Sequence, residues 1–417
     1  MRVDGERLNA RIQSLATIGQ TVNGGVTRPS LSAEYLEAQD QVIEWMQQAG
    51  LETRIDAIGN IIGKRPGGDR SAGAIMVGSH IDTVIDGGPY DGALGVLAGI
   101  EVADALSQHA VQLRRPLEVV AFIEEESTRW GMSLMGSQGM LGTLAYDDIF
   151  GRTDGDGVSI ADGLRSLGLD PERYGDAARS PGELDYYLEL HVEQGAVLDN
   201  LGMPLGVVTG IAAPVFLSVT LEGKADHAGA TPMHLRKDAL VAAAELILGA
   251  RRIAEEASST SVATVGRCEV TPGATNVIPG RVRMSFDVRD MHPDTREEML
   301  DRIKGAVAQA AGRHGLRYEI SELARGEPVA LPQHMIDTVA HCMETLGLPV
   351  FHLPSGASHD AQVMAKITDA AMIFVRSHDG VSHCPGEFSS AEDIKAGANV
   401  LLQTVLALDA TVRPTIR

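Results

Sequence analysis

His80 and Asp82 stand two residues apart, ahead of a Gly-Gly-Pro turn and a second aspartate, Asp91, which Gly92 follows. Imidazole and carboxylate in one short stretch suit a divalent cation such as Zn²⁺, Mn²⁺, Co²⁺ or Ni²⁺. Further donors follow at Glu124, Glu125 and Glu126, at His191, and at His383 in SHCPGE. Five protein ligands and a bridging water would serve two metals that share one carboxylate. Such a pair makes a nucleophile of water and polarises the carbonyl under attack. Taken singly, each donor has a blander reading: a histidine packed for structure, or a run of acids on a solvated face.

The elements that must position these residues are strands ending at one edge. Residues 74–77 form an apolar run that reads as a buried strand running into His80. Residues 93–106 read as a helix opening at Asp91-Gly92. Residues 117–123 are strand-like and end at the three glutamates, whose carboxylates are costly there without a cation or hydrogen bonds. Residues 187–190 are another strand and end at His191. In open α/β sheets this carboxyl edge is where ligands bind.

Around this centre, helical spacing appears at 6–18 and 33–49 and strand-like runs at 53–55 and 60–63. The Gly-, Asp- and Pro-rich stretch 147–185 reads as loops around a short helix. From about residue 215 the pattern changes: strand 215–222, helix 235–257, strands 261–270 and 281–289, helix 295–314, strand 316–323. That βαββαβ order matches a ferredoxin-like insert. After 328 a helix at 334–346, a strand at 371–376 and a helix at 391–409 restore the α/β alternation. The expected fold is therefore α/β. A mixed-sheet catalytic domain with helices on both faces, built from 1–212 and 328–417, carries an inserted α+β domain at 213–327.

The chain has 417 residues, enough for two or three domains. Its net charge of −21, with no basic cluster to offset it, argues against nucleic-acid binding. Three widely spaced cysteines without CxxC spacing argue against a disulfide framework and fit a reducing cytoplasm. The N-terminus lacks a signal-peptide apolar core, and no apolar run is long enough to cross a membrane.

Taken together, GSHIDTV at 78–84, GGPYDGALGV at 87–96, EEE at 124–126, ELHVEQG at 189–195, HAGATPM at 227–233, NVIP at 276–279 and SHCP at 382–385 resemble the M20 metallopeptidase-like amidohydrolases, in the hydantoinase/carbamoylase branch. The resemblance spans essentially the whole chain. It implies that His80, Asp91 and His191 hold one metal and that Asp91, Glu126 and His383 hold the other. In this family the ligand glutamate follows the bridging aspartate by 35 positions, which selects Glu126 and puts Glu125 on the general base. Asp82 would lie behind His80 and fix its tautomer. His227 would stabilise the oxyanion, and Asn276 and Arg289 would grip the substrate carboxylate. Gln194 and His359 are further expected substrate contacts.

The resemblance also implies two divalent metal ions per subunit and a homodimer formed through the inserted lid domain. The expected reaction is hydrolysis of an N-carbamoyl-L-amino acid to free amino acid, ammonia and carbon dioxide. GIAAPVF at 210–216 carries that choice, because allantoate enzymes tend to have Gln-Arg there. Allantoate or N-carbamoyl-β-alanine is the runner-up substrate, and an N-acyl amino acid or a non-catalytic binding role follows. Two positions depart from the family pattern: Ser127 where glycine is usual, and Cys384 where asparagine is common.

Overall fold

A computed structural model describes residues 1–411. The strands are β1 (Glu52–Ile55), β2 (Ile61–Arg65), β3 (Ala74–His80), β4 (Leu117–Phe122), β5 (Leu184–Val192), β6 (Leu205–Ile211), β7 (Ala213–Glu222), β8 (Asp226–His227), β9 (Val262–Thr271), β10 (Val277–Ile278), β11 (Arg281–Asp290), β12 (Arg317–Arg325), β13 (Val329–Ala330), β14 (His352–Ser355) and β15 (Asp369–Val375). The chain divides into two compact units. One comprises residues 1–209, 331–353 and those from 359 onward; the other comprises 210–330 and 354–358.

The first unit is built on a mixed sheet in the order β1-β2-β4-β3-β5-β15-β6. Its centre is parallel, β3 running with β4 and β5, and β5 with β15. The flanks are antiparallel, at β1–β2, β2–β4 and β15–β6. AIMVGSH in β3 and LEVVAF in β4 are buried throughout, the continuous pattern of strands covered on both faces. His80 pairs with Phe122 in register, so the chain leaving β4 delivers Glu124–Glu126 beside the end of β3. His191 pairs likewise with Phe374.

Helix Ala93–Gln108 packs on this sheet and is buried nearly all round. Its two acids are neutralised from helix Gly5–Ala16: Arg7 forks onto Glu101 at 2.7 and 2.8 Å, and Arg11 reaches Asp104 at 2.6 Å. Arg28 is almost wholly buried and holds the segment after His80. Its Nε donates to the Ile81 carbonyl at 2.7 Å, and its Nη1 donates to the carbonyls of Leu15 and Ile18 at 3.0 Å each. Burial pulls this guanidinium down to about 10.

The second unit is an antiparallel sheet, β12-β7-β11-β9, with helices Ala239–Ala257 and Pro293–His314 packed on it. Alternation along two strands supplies its core. Val215, Leu217, Val219 and Leu221 of β7 and Val282, Met284, Phe286 and Val288 of β11 meet Leu246, Ile253, Met299 and Ile303. The opposite face carries polar residues such as Ser218, Thr220, Arg281 and Arg283, which line a shallow depression of about 290 Å³.

Local expectations differ from the structure in several places. Helix 235–257 begins at Ala239. Asp238 caps it through the amides of Leu240 and Val241, and Met233–Leu235 forms a separate 3₁₀ turn. The stretch 147–185, expected to hold a short helix, contains Ile160–Ser166 and the 3₁₀ turn Pro171–Ala177, with Tyr146–Gly151 at its start. Strand β6 was not anticipated: glycines at 206 and 210 weaken its apolar pattern, and pairing with β15 recruits it.

Candidate metal centre

Asp91 lies at the focus of the first unit's donors. His191 Nε2 is 3.2 Å and His80 Nε2 3.7 Å from its Oδ1. His383 Nε2 is 3.3 Å from its Oδ2 and 3.6 Å from Glu126 Oε1. One carboxylate thus faces two histidines through one oxygen and a histidine–glutamate pair through the other. His80 Nε2 also lies 3.7 Å from Glu125 Oε2. The donor atoms of His80, Asp91 and His191 lie mutually within 4.8 Å, as do those of Asp91, Glu126 and His383, and those of His80, Glu125 and Glu126.

Backbone geometry builds this cluster at some cost. Gly92 takes φ +64° where the chain enters its helix. Glu124, Ser127, Gln194 and His383 all lie at positive φ, between 51° and 59°. Non-glycine residues held there cost on the order of 1 kcal/mol each. Ser127 therefore keeps a left-handed conformation that glycine would take without strain.

Burial and neighbouring charge set the protonation states. Burial pulls His80 down, but the carboxylates of Glu125, Asp82 and Glu126 outweigh it and hold the imidazole well above its usual value. Burial pushes Asp91 up, but hydrogen bonds from His191 and His383 hold it well below. Glu125 is raised well above the carboxylate range by burial, with Glu126, Asp360 and Asp82 adding repulsion against the pull of His80. Burial and Asp91 push Glu126 to about 7. The bond to Asp91 lifts His383 to about 9.

The remaining expected residues divide between the units. Asp82 does lie behind His80, but its backbone carbonyl makes the closer contact with Nδ1, at 3.0 Å against 3.6 Å for the carboxylate. The Asp82 carboxylate instead accepts the amides of Glu125 and Glu126 at 3.3 and 3.1 Å, positioning the two acids. Gln194 Nε2 donates to Asp91 Oδ2 at 2.8 Å. His359 is buried edge-on against His191, with ring centres 4.5 Å apart, and burial holds it well below its usual value.

In the second unit, His227 is exposed on the small β8–β10 ribbon. Its Nδ1 accepts the amides of Gly229 and Ala230, which assigns the neutral ring's proton to Nε2. Asn276 lies beside it, its carbonyl accepting the Ala228 amide at 3.0 Å. Arg289 spends its fork on Asp287, two bonds of 2.8 Å, and donates to the Gly356 carbonyl.

Several buried acids went unassigned from sequence, among them Asp360, Glu387 and Glu189; a donor oxygen of Glu189 lies within 4.8 Å of donor nitrogens of His191 and His359. Asp360 accepts from Ser137 Oγ at 2.6 Å. Glu387 accepts the amides of Tyr90 and Asp91. The only hint of Glu387 was its place in SHCPGE, four residues past His383.

Three imidazoles and three carboxylates converge here, buried at His80, Asp91, Glu125 and His191 and open to solvent at His383; they need cations or protons to balance them, and this mixed N/O set fits divalent transition metals. The sheet, the second compact unit and this cluster define a hydrolase of the M20 class. The model of peptidase family M20/M25/M40 matches residues 76–407, and the chain belongs to that family.

Within it, the chain is 44% identical to an N-carbamoyl-L-amino acid amidohydrolase of Geobacillus stearothermophilus, over 97% of this chain and 99% of that one. It is 36% identical to an allantoate amidohydrolase of Bacillus subtilis, over 95% and 96%. Among solved structures, an amidase of the hydantoinase/carbamoylase family from Burkholderia multivorans superposes with a TM-score of 0.92 at 34% identity, covering 98% of this chain and 99% of that chain.

Proposed function

We propose that this protein hydrolyses N-carbamoyl-L-amino acids to free amino acid, ammonia and carbon dioxide, using two divalent cations. The observation that carries the reading is the Asp91 carboxylate, faced by His80 and His191 on one oxygen and by His383 on the other, with Glu125 alongside. His80, Asp91 and His191 would hold one cation; Asp91, Glu126 and His383 would hold the other. When bound, the cations activate water and polarise the ureido carbonyl.

The chain's own groups supply the rest. Glu125, in its carboxylate form, takes the proton of the attacking water and returns it to the leaving nitrogen; the burial that raises its proton affinity makes it a stronger base for the first step. His227, with its proton on Nε2, donates to the developing oxyanion. Asn276 and Arg289 bind the substrate carboxylate, Arg289 by turning part of its fork from Asp287. Gln194 and His359 shape the substrate site. Ammonia departs, and the remaining carbamate loses carbon dioxide to give the amino acid.

The second unit is read as a lid and dimerisation domain. Leu240, Val241, Ile247 and Leu248 form an exposed apolar stripe on its helix Ala239–Ala257, and β9 is an edge strand of its sheet. A second copy of the chain would cover both. Three free cysteines support a reducing, cytoplasmic setting. Among the described residues no helix is long and apolar enough to cross a membrane.

The test is an ammonia-release screen on protein reconstituted separately with zinc, manganese, cobalt or nickel. N-carbamoyl-L-amino acids, allantoate and N-carbamoyl-β-alanine are compared as substrates. The expected outcome is the highest kcat/KM on the N-carbamoyl-L-α-amino acids. A preference for allantoate would overturn the substrate assignment and leave the reaction class standing.

A further inference from the structure

Glu387 is 4% exposed, an acid buried in a loop and absent from every candidate ligand group above. Its surroundings are fitted to it. A Cβ at Gly88 would fall 2.2 Å from its carboxyl group, so the Gly-Gly turn before Asp91 lies directly against it. Glu387 Oε1 accepts two successive backbone amides, Tyr90 at 3.0 Å and Asp91 at 2.9 Å. Its Oε2 takes the Ser382 hydroxyl at 2.6 Å.

That hydroxyl also lies 3.1 Å from Asp91 Oδ2, the oxygen facing His383. A serine hydroxyl has one proton, and the shorter contact claims it. Glu387 therefore does two things. It pins the backbone from which the Asp91 carboxylate projects, and it draws the serine proton away from the lone pairs of Oδ2. Because Ser382 immediately precedes His383, the same carboxylate ties the turn carrying Asp91 to the segment carrying His383.

We propose that Glu387 is a positioning residue for the metal centre, which aims the Asp91 carboxylate for a pair of divalent cations and keeps the Ser382 proton from adding to the Gln194 amide already on Oδ2. This rests on the metal-centre reading given above. It adds a determinant of cation affinity that touches no cation itself.

The test measures binding of Zn²⁺ and Co²⁺ by chelator competition, with Co²⁺ absorption reporting geometry, alongside the thermal midpoint of metal-stripped protein. In Glu387→Gln the amide oxygen can still accept the two backbone N–H groups. Its NH₂ now faces Ser382, whose proton turns to Asp91 Oδ2. The expected result is a 10- to 100-fold loss of affinity, on the order seen when groups behind metal ligands are removed. The loss falls on one of the two cations, the Co²⁺ spectrum changes, and the metal-stripped midpoint stays close to wild type.

Ser382→Ala provides the second variant. Once it is in place, Glu387→Gln should cost much less affinity than it does alone, because both act through one proton. Unchanged affinity for both cations in Glu387→Gln, or full additivity with Ser382→Ala, would overturn the proposal and leave Glu387 a residue of loop packing. Wild-type protein that binds no divalent cation in this assay would overturn the metal-centre reading itself, a result separate from either outcome for the variants.

Discussion

The imidazole of His80 fills the space that a side chain at Gly92 would need. A Cβ there would lie 2.4 Å from the ring atoms, and the backbone stands at φ +64°. Two separate reasons thus keep this position side-chain-free: left-handed backbone, which L-residues adopt only with strain, and direct contact with a candidate ligand. Substituting Gly92→Ala should push His80 away from Asp91 while leaving the second compact unit untouched. We expect a stability loss of roughly 1–3 kcal/mol and less than full metal content. Chemical denaturation and metal analysis of the purified variant check both; full metal content with wild-type stability would contradict the packing argument.

Glu125 offers a cleaner separation of chemistry from assembly. Glutamine matches its shape but cannot accept a proton, and Glu125 is not needed to complete either proposed ligand set. Glu125→Gln should bind cations as wild type does and lose about 10²- to 10⁴-fold in kcat, the usual worth of a general acid–base group. Near-normal turnover with intact metal would remove Glu125 from the proton-transfer role.

Acidity gives an independent handle on the centre. In metal-stripped protein His383 stands at about 9, above its ordinary 6.5. Its contribution to stability is fully present below 6.5 and is lost as pH rises through about 9. Glu126, raised to about 7 from 4.5, works in the same direction: the folded state holds its proton more tightly, so stability falls as pH climbs across that interval. Metal-stripped protein should therefore have a thermal midpoint that declines from about pH 5 to about pH 9. Cations must displace these protons, so their apparent affinity should rise over the same range and binding should release protons. Calorimetric titration in buffers of different ionisation enthalpy measures the release. A midpoint that rises with pH in the stripped protein would count against these charge states.

Much of this was legible because the sheet's buried strands announce themselves. Continuous apolar runs before His80, Glu124 and His191 mark where each chain segment stops, and registers such as His80 with Phe122 bring those stops together. The alternation of β7 and β11 marked the second sheet as plainly. What escaped has a common cause: the information lay in backbone groups or in loops without period. Asp82 was read as an orienter of His80 and does face that ring, but that its carboxylate also accepts the amides of Glu125 and Glu126 escaped, because no pattern of side chains encodes an amide's direction. Arg28 and Glu387 satisfy carbonyls and amides distant in sequence. Arg289 was expected to grip the substrate carboxylate; the pairing with Asp287, two residues before it on the same face of β11, was not anticipated and occupies two of its nitrogens.

The order β5-β15-β6 has a consequence for how the chain comes into being. The strand made last, Asp369–Val375, is the one inserted between two made long before it. As the polypeptide emerges from the ribosome, β5 carries His191 on an edge with no neighbour on one side. The acids gathered around Asp91 must also wait for His383, which faces Asp91 and Glu126. Until Asp369–Val375 is threaded home, β5 and β6 lack the neighbour they share, and the sheet's centre cannot close.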